Sequence, residues 1–93
     1  MPYLIVKFKV KDYALWREYF DEGAQTRIYS GVISEHVFRG ECDRNEIVLV
    51  QRWHDVEKAR EMFQSPAMRR RMEEAGVEGE PEFYIEAEQE FMV

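Results

Sequence analysis

Ninety-three residues, 45% hydrophobic, 14% aromatic and 34% charged, suffice for one buried core and not for two, since single cores usually serve about 100 to 150 residues. Thirteen Lys and Arg against nineteen Asp and Glu leave a net charge of −6, which repels phosphate backbones and anionic lipid and argues against nucleic acid or a membrane as partner. One cysteine, Cys42, and two histidines, His36 and His54, cannot build a disulfide framework or a zinc cage, and no apolar run approaches the roughly 18 residues of a membrane span, so the expectation is one cytoplasmic domain over residues 1–93 without a metal.

Residues Tyr3 to Val10 place Leu4, Val6, Phe8 and Val10 at every second position, the period of a strand. Asp12 is a good N-cap, and Tyr13, Trp16, Phe20, Ala24 and Ile28 then recur at intervals of three and four until Gly31, which predicts a long helix. Gly23 inside it costs about 1 kcal/mol relative to alanine and predicts a bend or a break. Val32 to Arg39 and Glu46 to Trp53, rich in Val, Ile, Phe and Trp, flank a turn-forming segment from Gly40 to Asn45 and read as a hairpin. Asp55 caps a helix with Val56, Ala59 and Phe63 on one face. Ser65-Pro66 restarts it as a second short helix carrying Met68, Met72 and Ala75. Gly76, Gly79 and Pro81 end that helix, and alternation from Phe83 through Ile85, Ala87 and Gln89 to Phe91 predicts the last strand.

The order is β-α-β-β-α-β, an α+β ferredoxin-like arrangement with helices on one face of an antiparallel four-stranded sheet. The first three strands nevertheless carry aliphatic residues at both parities: Ile5 beside Leu4, Ile33 beside Val32, Leu49 beside Val48. The second sheet face therefore needs cover, and another copy of the same chain, packed sheet to sheet, is the simplest one, so a homodimer is expected. Glu82, Glu86, Glu88 and Glu90 would be costly in a dry interface, which places the last strand at an exposed edge.

The segment Val10-Lys11-Asp12-Tyr13-Ala14-Leu15-Trp16, the Arg-Asn-Glu turn at Arg44, Trp53-His54-Asp55, and Phe63-Gln64-Ser65-Pro66 ten residues after Trp53, together with this order, resemble the dimeric α+β barrel superfamily and its antibiotic biosynthesis monooxygenase branch. The likeness covers nearly the whole chain, and the stretch from Ala75 to Pro81 is similar to that of small members without a known reaction. The resemblance implies a dimeric barrel. Its members include cofactor-independent oxygenases of aromatic polyketides, polyketide cyclases and haem-degrading monooxygenases, among which the fold does not choose.

The haem-degrading branch places its iron-ligating histidine late in the second helical region, at a position that corresponds to Met72, and an aromatic residue of one such branch corresponds to Met62. Methionine at helical spacing with Met68 and Ala75 is far more often core filling than an iron ligand, so no cofactor is expected. His36, mid-strand at the parity of Ser34 and Phe38, is the candidate proton acceptor because its ordinary pKa lies near 6.5. Its bland alternative is a half-buried strand histidine. Trp53, Tyr13 and Trp16, with Met72, are the candidate pocket residues for a small apolar or aromatic ligand, although most aromatic residues simply build core. Arg39, Arg52 and the run Arg69-Arg70-Arg71 read as surface charge. The expectation is a cofactor-independent monooxygenase or cyclase acting on a small aromatic or apolar molecule, or a non-enzymatic small-molecule-binding or stress-associated protein of the same fold.

Overall fold

A computed structural model describes residues 2–87. Alternation produces the first strand, β1 (Pro2–Val10), which buries Leu4, Val6, Phe8 and Val10 on one face. The Asp12 carboxylate accepts the Ala14 N–H at 3.0 Å and starts α1 (Tyr13–Glu22). Gly23 divides the helical run, which resumes as α2 (Ala24–Ser30) and stops at Gly31, whose φ of 117° lies in the left-handed region. The predicted break is therefore a real division into two helices.

β2 (Val32–Arg39) and β3 (Glu46–Trp53) form the expected hairpin. In its turn the Asn45 N–H donates to Asp43 at 3.0 Å and Lys9 lies 3.2 Å away, and these two hold the Asp43 carboxyl below its ordinary range. Asp55 caps α3 (Val56–Gln64), and the Ser65 hydroxyl accepts the Met68 N–H at 3.2 Å to cap α4 (Pro66–Glu74), with proline in its first turn.

The last strand differs from expectation. β4 (Val77–Ala87) begins directly after Gly76, so Gly79 and Pro81 lie inside a strand they were expected to precede. Position in the sheet explains this: the strands are ordered β2-β3-β1-β4, all pairs antiparallel, and β4 is an edge. Proline is tolerated at an edge, where one side of the strand has no ladder to interrupt. Gly79, at φ 68°, falls where the β1–β4 register shifts between Lys7 and Lys9. The expected continuation through Glu88, Gln89, Glu90 and Phe91 lies outside the described residues.

The helices cover one sheet face. Leu4, Val6, Phe8 and Val10 of β1 and Ile47, Leu49 and Trp53 of β3 are buried there against Trp16, Ala59 and Ala75. The outer face carries Ile5, Val48 and Val50 in the middle, with Phe38 54% and Tyr84 47% exposed beside them. Lys7, Lys9, Glu46 and Glu82 lie towards one end of that face.

Candidate functional site

A cavity of about 280 Å³ lies between α1, α2, α3, α4 and the inner sheet face. Its walls differ in character. On one side Phe8, Trp16 and Phe20 form an aromatic ladder, with ring centres 5.5 Å apart for Phe8 and Trp16 and 4.9 Å for the stacked Trp16 and Phe20. The ladder follows from sequence: Trp16 and Phe20 are one helical turn apart, and Phe8 projects inward from β1. On the other side Met62, Met68 and Met72 supply unbranched, polarisable side chains that adapt to the shape of an occupant.

One edge of the cavity is polar and highly organised. Gln51, 1% exposed, stands on β3 at the inward parity of Ile47, Leu49 and Trp53. Its Oε1 accepts the Trp53 indole N–H at 3.0 Å and its Nε2 donates to Glu35 Oε2 at 3.0 Å. Arg27 of α2 grips the same carboxylate, with Nε at 2.9 Å from Oε2 and Nη2 at 2.9 Å from Oε1, while its Nη1 donates to the Phe20 carbonyl at 2.6 Å. The guanidinium also lies 3.8 Å from the Phe20 ring centre. Four residues thus form one chain, Trp53 to Gln51 to Glu35 to Arg27, in which each buried polar group has a partner.

Gly23 leaves room for this arrangement. A Cβ there would lie 2.9 Å from Arg27 Nη1, close enough that the guanidinium end of the side chain would have to shift against the Phe20 carbonyl. At the cavity mouth Arg71 Nη2 donates to the Tyr19 carbonyl at 2.8 Å and lies 3.7 Å from Glu22 Oε2.

The residues expected to form a site are separated by the sheet. Trp16 and Met72 line the cavity. Trp53 is 1% exposed and reaches the cavity edge through Gln51, and Tyr13 lies outside the lining, its ring 5.8 Å from Trp16 and under the Arg39 guanidinium. His36 is exposed and pairs with Val50 on the outer face, so it and Trp53 face opposite ways. The cause is a register shift between Val32 and Ser34, which turns Val32 inward opposite Trp53 and Ser34, His36 and Phe38 outward. Arg27, Glu35 and Gln51 were not among the expected site residues. The available signal was Gln51, a polar residue at the buried parity of an otherwise apolar strand.

No family model matches the chain, and no curated protein matches it. Solved structures do. SnoaB, a cofactor-independent oxygenase from Streptomyces nogalater, is similar at a TM-score of 0.71 with 18% identity, over 96% of this chain and 94% of that one. A candidate antibiotic biosynthesis monooxygenase from Bordetella bronchiseptica reaches 0.77 with 14% identity, over 94% and 95%. A conserved protein from Methanosarcina mazei Go1 reaches 0.73 with 13% identity, over 95% and 92%. Over its described residues, then, this chain has the ferredoxin-like α+β fold found in antibiotic biosynthesis monooxygenase structures.

Proposed function

We propose that this protein takes a small, mainly apolar or aromatic molecule into the cavity between sheet and helices and acts on it as a cofactor-independent monooxygenase or cyclase. The observation that carries the reading is the cavity itself: about 280 Å³, walled by an aromatic ladder and three methionines and bordered by one ordered polar edge, the usual make-up of a small-molecule site. The SnoaB likeness supports the reaction class. Catalysis here would rest on holding the substrate rigidly and excluding water, with Tyr19, the tyrosine that lines the cavity, as the group that moves a proton. A second reading, binding without turnover, is favoured by the Glu35 carboxylate, which Arg27 and Gln51 already occupy.

Calorimetric titration with a panel of planar aromatic compounds, run beside an oxygen electrode, tests both. The expected result is saturable binding at one site per chain, lost in Met72→Trp, whose indole fills the cavity at a folding cost of about 1 to 3 kcal/mol. Oxygen uptake marks the enzyme, binding without uptake marks the second reading, and no binding by any compound removes both.

The homodimer belongs to the same proposal. Ile5, Val48, Val50 and Phe38 give the outer face an apolar centre, and a second sheet packed on it would place His36 between the two sheets. Light scattering at micromolar concentration should return twice the 11.2 kDa chain mass. Val50→Asp, which sets a carboxylate in the centre of that face, should return the single-chain mass. A monomeric wild type would remove the dimer.

A further inference from the structure

We propose that the ligand is a monocarboxylate, an apolar ring-bearing body with one acidic group, and that Arg71 receives the acid at the cavity mouth. The inference rests on the small-molecule reading above and names the substrate class for the same site. Of the charged side chains lining the cavity, two are guanidiniums, Arg27 and Arg71, and one is a carboxylate, Glu22. The two cations are not equivalent. Arg27 is 12% exposed and fully paired with Glu35, so its charge is spent within the protein. Arg71 gives one N–H to the Tyr19 carbonyl, and its nearest acid, Glu22, stands 3.7 Å away with a side chain 70% exposed, a separation and exposure at which water screens most of the attraction.

Filling the cavity turns this into a preference. A guanidinium carries five N–H donors. The Arg71 side chain is 41% exposed, so an occupant displaces water only from its cavity side, and a neutral apolar body leaves the donors there without the acceptors they had. A carboxylate satisfies two at once, since its oxygens match the planar fork. The Tyr19 carbonyl fixes the fork in place beforehand, and the Arg27–Glu35–Gln51 chain keeps the adjoining edge from collapsing onto it. The apolar remainder then lies between the Trp16–Phe20 stack and the methionines. In a chain of net charge −6, Arg71 is the cation of this mouth whose acidic partner is exposed and not in close contact, so an incoming anion competes with Glu22 alone.

The test compares 2-naphthoate with 2-naphthylmethanol, which share the ring system and differ in charge, by titration into the full chain at physiological ionic strength. Wild type should bind the acid about tenfold more tightly than the alcohol. Arg71→Met, which keeps the apolar stem, should erase that ratio while leaving the alcohol unchanged. Glu22→Gln, which removes the competing acid, should tighten naphthoate several-fold and leave the alcohol as it was. Equal binding of acid and alcohol by wild type overturns the carboxylate inference and leaves the cavity reading standing. So does an Arg71→Met variant that weakens both probes alike, since Arg71 would then serve as packing. Failure of both probes to bind wild type defeats the cavity reading and the inference together.

Discussion

Trp53→Ala is expected to lower stability by about 3 to 5 kcal/mol, which in a domain of this size moves the melting temperature by well over 10 °C, at roughly 4 to 8 °C per kcal/mol. Trp53 is 1% exposed at the end of β3, and Val32 is its partner across the hairpin. The loss has two parts. Removing the indole opens a cavity in the core, and removing its N–H leaves Gln51 Oε1 as a buried acceptor without a donor. Trp53→Phe weights them differently: it keeps the six-membered ring, leaves a smaller cavity and should cost mainly the acceptor penalty, about 1 to 3 kcal/mol. Denaturant titration of both variants measures the two parts. A loss below 1 kcal/mol for the alanine variant would mean that the indole is not the core residue described here. Because Trp53 reaches the cavity only through Gln51, ligand affinity in the phenylalanine variant should fall less than stability does.

Glu35→Ala is the second large effect. It strands the Arg27 guanidinium, 12% exposed, and frees the Gln51 Nε2 donor in one step. Removal of one partner from a buried pair costs about 3 to 5 kcal/mol. With the Glu35 side chain 25% exposed, water recovers part of that, and about 2 to 3 kcal/mol is expected. Arg27→Met alone leaves Glu35 with Gln51 and should be comparably costly. The pair changed together, Arg27→Met with Glu35→Leu, removes both charges and should cost less than the two single changes added, with a coupling of about 1 to 3 kcal/mol from the double-mutant cycle. Strict additivity would show that the 2.9 Å contacts carry no net stability.

Much of the fold was legible because local rules and tertiary structure agree. Asp12, Asp55 and Ser65 cap helices where their side chains have backbone N–H groups to accept from, and Gly31 takes the left-handed turn that only glycine adopts freely. β4 was legible in its edge position, which its glutamates signalled, and less so in its start, since Gly79 and Pro81 stop a helix or a central strand and are harmless at an edge. The site was legible only in its helical half. Trp16 and Met72 recur at helical spacing and line the same cavity from opposite sides, whereas Glu35 reaches Gln51 and Arg27 only because an irregularity near Ile33 resets which β2 residues face inward. The same shift sends His36 to the outer face, and nothing between Val32 and Arg39 signals it in advance.

Gly23 joins stability to recognition in a way that neither helix alone reveals. Its backbone is ordinary, φ −83° and ψ 0°, so alanine would suit the chain and gain up to about 1 kcal/mol by restricting the unfolded state. What a methyl group would take is the space into which Arg27 Nη1 reaches. The division between α1 and α2 is therefore less a flaw in a long helix than a socket, and its shape is set by a residue one turn further along. Selection for rigidity alone would fill the socket, because the reward is local while the adjustment falls on Arg27 and its contacts with Phe20 and Glu35 at the cavity edge.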